Sequence, residues 1–343
     1  MVSNNRQHEP APSLPPVIFG TSSLGNLYHA VDYGLKLEVV KACMASSKPL
    51  AFFDSAGKYG AGLALESLGK CLADLKVDPQ QVVISNKLGW YRTPLLTPEP
   101  TFEAGIWKDI KHDAVQMISY DGILKCFEQG NKLLGNYRAQ MVSVHDPDEY
   151  LFAGRSEEDY QERYQQILDA YIALAELKAA GLVSSIGVGA KDWKIIQTIV
   201  ADVALDWVMI ANSLTIKSHP ADLIAFIEEL NQKNIKVINS AIFNGGFLTG
   251  GDFYNYQPVE ADSLAGKALL DWRDKFYQVC KTFEVLPAEA CFSFSAGFTG
   301  VKSIALNTTR PEKVAINAAL AKKEIPAGFW QEMKMQGLIE FLK

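Results

Sequence analysis

The chain has 343 residues, of which 48% are hydrophobic and 21% charged, the balance of an ordinary globular protein with enough length to bury a full core. A net charge of −6 supplies no dense basic face for a phosphate backbone, which excludes nucleic acid as the expected partner and points to small molecules. The five cysteines are scattered without a close pair, so neither a disulfide framework nor a zinc knuckle is expected, and the default is a reducing compartment, the cytoplasm.

Residues 1–16 hold Pro10, Pro12, Pro15 and Pro16 among polar neighbours. They lack the apolar run of a secretion signal and read as a flexible tail ahead of a single domain over residues 17–343. No stretch approaches eighteen consecutive apolar residues, so no membrane span is expected. From Val17 onward, short apolar runs alternate with longer segments of helical period. The strands fall at Val17 to Gly20, Leu50 to Asp54, Val82 to Lys87, Gln140 to His145, Ser184 to Val188, Trp207 to Ala211, Lys236 to Ser240 and Val301 to Leu306.

The intervening segments carry apolar stripes: Leu63, Leu65, Leu68, Cys71 and Leu72; Ile167, Tyr171, Leu174 and Leu177 up to Gly181; Leu223, Ile227 and Leu230. Eight such units imply an α/β fold, a closed (β/α)8 TIM barrel. A doubly wound sheet would want a Gly-x-Gly-x-x-Gly turn after the first strand, and Gly20 with Gly25 does not supply it. Three connections are long: Leu88 to Ile118 after strand three, Pro147 to Asp159 after strand four, and Ile242 to Ser263 after strand seven. All leave the carboxyl ends of strands, where barrel enzymes keep their sites. Trp90, Tyr91, Trp107, His112 and Tyr150 on them are candidate substrate-pocket walls, with loop anchoring as the equal alternative for each.

The stretch from Ala51 to Lys87 concentrates the chemistry: Ala-Phe-Phe-Asp54-Ser-Ala-Gly-Lys-Tyr59-Gly, a helix, then Val-Val-Ile-Ser-Asn-Lys87. Asp54, Lys87 and His145 end strands two, three and four. Neighbouring strands about 4.8 Å apart let them converge, with Tyr59 folded back over them. A phenol with a pKa of about 10 is a poor base near neutrality. An ammonium roughly 4 Å away, at an effective dielectric near 20, is worth roughly 4 kcal/mol, or about 3 pKa units, to its anion. Lys87 is placed to supply that charge, Asp54 to keep the lysine charged and aimed, and His145 to donate a hydrogen bond to a substrate oxygen.

Taken singly, a strand-end Asp is often a turn cap, a lysine solvated and a tyrosine packed; the coincidence on successive strands carries the argument. His8, His29 and His219 show no metal-ligand spacing, and no metal site is expected. Tyr277 and Lys281 have a Tyr-x-x-x-Lys spacing but sit in a late amphipathic helix, and are read as accidental. One rival from another class is a barrel lyase with a Schiff base on Lys87.

At these residues the sequence resembles the aldo/keto reductase superfamily, from Val17 to about Leu338. Asp54-Ser-Ala-Gly-Lys-Tyr59-Gly is similar to the family's Asp-Thr-Ala-x-x-Tyr-Gly, and Lys87 and His145 match its strand-three lysine and strand-four histidine. The resemblance implies that Tyr59 transfers a proton while hydride passes between substrate and a nicotinamide cofactor. It places cofactor contacts at Asn212, at Ser240, Ala241, Ile242, Phe243, Asn244 and Gly245, and at Asn307, Thr308, Arg310 and Asn317.

Several positions depart from the family pattern. The usual Gly-Val-Ser-Asn after strand five reads Gly187-Val-Gly189-Ala190, the nicotinamide-stacking tyrosine is Ser240, and the lysine that faces the 2′-phosphate of NADP is Asn307. The missing cation favours NAD over NADP. These substitutions, with Ile325 to Ile339, resemble a subgroup of aldose 1-dehydrogenases acting on L-fucose and related D-threo-aldoses, and the similar L-galactose and pyridoxal dehydrogenases. The activity so implied is oxidation at carbon 1 of an aldose to its lactone. An NADP-dependent aldehyde or ketone reductase and a non-catalytic, cofactor-binding partner subunit are the alternatives within the superfamily. Many members close the barrel bottom with an amino-terminal hairpin, for which this sequence has the Pro-rich tail instead.

Overall fold

The computed structural model describes residues 12–340; most of the predicted tail and the last three residues lie outside them. Eight parallel strands form a closed barrel. They are β1 (Val17–Gly20), β2 (Ala51–Ala56), β3 (Val82–Leu88), β4 (Met141–His145), β5 (Ser185–Ala190), β6 (Trp207–Ala211), β7 (Lys236–Ser240) and β8 (Val301–Leu306). The predicted (β/α)8 architecture is thus found. Among the described residues no helix is long and apolar enough to cross a membrane.

The chain divides into two compact units, one holding the chain up to Met209 with Ala305–Ala318, the other Ile210–Ile304 with the chain from Ala319. In the first, β2 to β5 are buried along their whole length, as parallel strands covered on both faces must be. That is why they read as apolar runs. The polar residues inside them, Asp54, Ser55, Ser85, Asn86, Lys87, Ser143, His145 and Ser185, are therefore exceptions that ask for a reason.

Helix Glu157–Ala179 shows how local signals set an element. Ser156 accepts the Asp159 N–H at its start, the first turn holds Glu157, Glu158 and Asp159, and Lys178 sits in the last. The predicted stripe Ile167, Tyr171, Leu174 and Leu177 is its buried face. Helix Leu63–Asp74 buries Leu65, Leu68, Cys71 and Leu72, whereas Leu63 is half-buried against the cluster of Ala61, Phe102, Trp107, Ile110 and Ala114.

In the second unit, Phe329, Trp330, Met333, Leu338 and Ile339 join Phe247, Leu248, Phe276 and Phe294 in one apolar cluster. Within this terminal stretch Phe329 and Met333 are 0% exposed.

Several strand boundaries differ from expectation: β3 runs past Lys87 to Leu88, β5 past Val188 to Ala190, and β2, β4 and β5 each begin one residue later. Asp54 does not end its strand, since β2 continues through Ser55 and Ala56. The long connections carry structure of their own. The one after β3 contains an antiparallel ribbon, Trp90–Pro94 with His112–Gln116, and the one after β4 contains helix Pro147–Phe152. The one after β7 contains the turn Phe247–Thr249 and a two-residue ribbon.

Candidate active site

Side chains alternate along a strand, so register decides which residues share a face. In the barrel Ala56 is level with Lys87, Lys87 with Ser143, and His145 with Gly189. Asp54 is two residues before Ala56, and His145 two after Ser143. Asp54, Lys87 and His145 therefore share one parity and one face. A side chain at Gly189 would bring its Cβ to 3.2 Å from Lys87 Cδ, so the glycine leaves room for the stem of the lysine.

Lys87 Nζ donates a hydrogen bond to Asp54 Oδ2, both groups being buried. The same ammonium lies 4.7 Å from the centre of the Tyr59 ring. His145 meets that ring edge-on at 5.6 Å between centroids, and Trp107 lies across it at 5.7 Å with the planes 35° apart. The four residues singled out in the sequence are thus brought together.

Burial pushes the Asp54 carboxyl above its ordinary range, opposed by the Lys87 ammonium. His145 is held well below 6.5 by burial first and then by the positive charges of Lys87 and Lys58, so its ring is neutral near pH 7. Its Nδ1 is buried without a partner. Its Nε2 is 3.6 Å from Asp146 Oδ2, beyond hydrogen-bond reach. The imidazole is a neutral donor not spent on the protein.

A second polar group adjoins the first, and sequence reasoning missed it. Lys58, in the turn before Tyr59, has a side chain 3% exposed and places its Nζ at 2.8 Å from Glu103, 3.1 Å from Asp146 and 2.6 Å from Glu149. Lys191, after β5, pairs with Glu149 and lies 3.8 Å from Asp146. Burial alone would pull the Lys58 ammonium down; the three carboxylates outweigh it and hold the group well above the ordinary lysine range. Nothing periodic marks such residues, and only the adjacency of Lys58 to Tyr59 and of Asp146 to His145 could have drawn attention.

The proposed pocket walls separate. Trp107 and Trp90 lie in the cluster around Tyr59 with Phe102 and Ile110. Tyr91 is on the alternate face of the ribbon from Trp90, opposite Val115. His112 closes the far end of that ribbon, opposite Pro94, where burial first and then Arg92 lower its pKa. The Tyr150 hydroxyl bonds to Gln166, and Arg163 stacks on its ring at 4.8 Å. Trp107 lies across Tyr59, and Trp90 packs on the same cluster.

Of the residues matched to cofactor contacts, those in the first unit sit after β8. Asn307 Nδ2 donates to Ser22 at 2.8 Å, and its Oδ1 accepts from Ser23 at 2.7 Å. Its amide is committed to the loop after β1. Thr308 accepts the Arg310 N–H at 3.1 Å, Arg310 is exposed, and Asn317 is half-buried on helix Pro311–Ala319.

In the second unit Asn212 adopts φ 62°, and its Oδ1 is buried without a partner. An orphaned amide oxygen of this kind fits the N–H of a nicotinamide carboxamide. Ser240 Oγ donates to the Ile210 carbonyl at 3.3 Å. Beyond it Ala241, Asn244 and Gly245 have φ of 54°, 48° and 74°. For Ala241 this costs of order 1–3 kcal/mol, strain of the kind found where a backbone is shaped around a ligand. Ile242 and Asn244 are fully buried, Phe243 packs on the apolar cluster, and Asn244 Nδ2 donates to Asn255 at 2.8 Å. In this segment the main chain, more than the side chains, is left to meet a cofactor.

A closed parallel barrel with its buried ionisable groups at the carboxyl ends of its strands has the form of a barrel enzyme. The model of the aldo/keto reductase family matches residues 16–335, and the chain belongs to that family of oxidoreductases. It is 26% identical over 332 residues to a pyridoxal 4-dehydrogenase of Microbacterium luteolum, covering 93% of each chain. It is 25% identical over 335 residues to a D-threo-aldose 1-dehydrogenase of a Pseudomonas species, covering 95% of each. Among solved structures, an aldo-keto reductase from Bacillus halodurans in its holo form superposes with a TM-score of 0.66 at 16% identity, over 95% of this chain and 92% of the other. A glycerol dehydrogenase from Gluconobacter oxydans does so with the same TM-score and identity, over 95% and 91%. At that identity these two show the fold alone.

Proposed function

We propose that the protein oxidises carbon 1 of an L-fucose-like aldose to the lactone, passing hydride to a nicotinamide dinucleotide, with Tyr59 as the acid/base group. The observation that carries this is the Asp54-bound Lys87 ammonium lying 4.7 Å from the Tyr59 ring. An ammonium about 4–5 Å from a phenolate charge, at an effective dielectric near 20, attracts it by roughly 3–4 kcal/mol. The phenolate oxygen of Tyr59 takes the proton of the anomeric hydroxyl, and in the reverse direction the phenol returns it. Asp54 holds and aims Lys87. The neutral imidazole of His145 donates its N–H to the substrate oxygen and fixes its direction. A bound nicotinamide supplies the hydride acceptor. Asn212 and the backbone of Ser240 to Gly245 would hold its carboxamide and pyrophosphate, and Thr308, Arg310 and Asn317 its adenosine end.

The two curated relatives, each matched over nearly its whole length, are both named as dehydrogenases, one of a D-threo-aldose at carbon 1 and one of pyridoxal. They favour oxidation as the direction. The test is formation of reduced cofactor from NAD and, separately, NADP with L-fucose, D-arabinose, L-galactose and pyridoxal. Turnover of the neutral aldoses is expected. Cofactor binding with no turnover of any of them, but with reduction of aldehydes by NADPH, would replace this reading with a reductase.

NAD is the proposed cofactor, because the Asn307 amide is tied to Ser22 and Ser23 and brings no charge to a 2′-phosphate. Asn307→Lys supplies that charge. A charge-assisted hydrogen bond is worth about 1.5–3 kcal/mol, so the ratio of kcat/KM with NADP to that with NAD should rise about tenfold or more. An unchanged ratio would place the 2′-position elsewhere.

A further inference from the structure

Lys58 is a costly residue to keep. Burying an ion costs several kcal/mol even when it is paired, and an apolar side chain of similar size would usually serve stability as well. Yet the chain spends three carboxylates from two different connections on this one ammonium. Glu103 comes from the long segment after β3, and Asp146 and Glu149 from the segment after β4. Lys191, after β5, closes the arrangement by bridging to Glu149.

The contacts lead from Lys58 to the reacting centre in two bonds. Glu103 Oε1 takes the Lys58 ammonium, and its Oε2 accepts the Trp107 indole N–H at 2.7 Å. The Trp107 ring lies across Tyr59. Lys58 is also the residue before Tyr59, so one short turn both presents the phenol and grips the group that covers it. The turn is seated against the ribbon as well: a Cβ on Gly57 would stand 2.4 Å from the Trp90 carbonyl oxygen, and the Lys58 ammonium lies 5.3 Å from the Trp90 ring centre.

We propose that Lys58 is a positioning residue, a buried clasp that through Glu103 fixes Trp107 over Tyr59 and so preforms the substrate-binding wall. It rests on Tyr59 being the acid/base group. The clasp acts on binding more than on chemistry, because it holds a wall and touches neither the transferred proton nor Lys87, and burial, ahead of the Lys58 charge, keeps His145 neutral. Without it, substrate must order the Trp107 segment as it binds, a cost that appears in KM.

The experiment compares Lys58→Met, Lys58→Arg and Glu103→Gln with the parent protein. It reads kcat and KM for the aldose, and amide hydrogen exchange across residues 102–108 in the protein without substrate. The expected result for Lys58→Met is a KM raised about tenfold or more with kcat changed less than about threefold, and faster exchange over 102–108. Lys58→Arg restores most of both readouts, since a guanidinium can reach the same carboxylates. Glu103→Gln removes the link without stranding the buried cation among fewer than two carboxylates. It should reproduce the KM effect even if Lys58→Met folds poorly. An unchanged KM in Glu103→Gln, or unchanged exchange over 102–108 in both variants, overturns the clasp. Full activity in Tyr59→Phe would instead remove the reading beneath it, and the exchange data would still report whether Lys58 orders the segment.

Discussion

Tyr59→Phe should lower kcat for aldose oxidation by about a thousandfold while leaving the fold and cofactor binding intact. The size follows from the role, since a positioned acid/base group contributes on the order of 10² to 10⁴ in rate. The specificity of the test follows from the geometry. The ring contacts with Trp107 and His145 involve the aromatic face and edge of Tyr59, and phenylalanine retains both. Lys87 also keeps its place over an aromatic ring and its bond to Asp54. Only the hydroxyl, the atom that would exchange the proton, is lost. Thermal unfolding and titration with cofactor check that nothing else changed. Retention of more than about a tenth of the activity would show that another group moves the proton.

The barrel was legible because its strands are buried on both faces and its crossovers are helical, which gives two distinct periods in alternation. Five strands, β1, β4, β6, β7 and β8, end where the sequence places their ends. A charged residue looks like a boundary, so the sequence pattern ends β2 at Asp54. The strand carries on for the reason that makes Asp54 interesting: its charge is buried and answered by Lys87. The ribbon Trp90–Pro94 with His112–Gln116 was invisible for another reason. Its two strands are partly exposed and are joined by a long connection, so neither a hairpin turn signal nor a buried run announces it.

At the site, the sequence exposed Asp54, Tyr59, Lys87 and His145 because each follows or ends an apolar run. Aromatic pocket walls were a weaker inference, since an aromatic in a loop serves equally well as a pin. Trp107 lies across Tyr59 and Trp90 packs on the same cluster, while the Tyr150 hydroxyl is spent on Gln166. Lys58 and its carboxylates could not be read at all. Their convergence depends on where the segments after β3 and β4 come to rest, and no local spacing encodes that. Asn307 was legible as a missing cation, but its bonds to Ser22 and Ser23 join residues far apart in the chain.

Lys87→Met should cost about 3–5 kcal/mol of stability near pH 7 as well as most of the activity, because it strands the buried Asp54 carboxylate. The pH dependence separates this from loss of packing. Burial already raises the folded-state pKa of Asp54 above its ordinary 3.8, and Lys87 is the group that opposes the rise. Removing the lysine lets the folded pKa climb further, while the unfolded value stays near 3.8. A carboxyl whose folded pKa is raised binds its proton more tightly in the folded protein. Its contribution to stability is complete below the unfolded pKa and is lost as pH rises through the folded one. The Lys87→Met protein should therefore regain stability relative to the parent as pH falls from neutrality toward the carboxylate range, where Asp54 is neutral and no charge is stranded. Adding Asp54→Asn should recover much of the loss at pH 7 and abolish the regain, without restoring turnover. Denaturant unfolding of the two single variants and the double variant at several pH values reads this directly. A deficit in Lys87→Met that does not shrink with falling pH would mean that the lysine's contribution is its stem packed against Gly189 and not its charge beside Asp54.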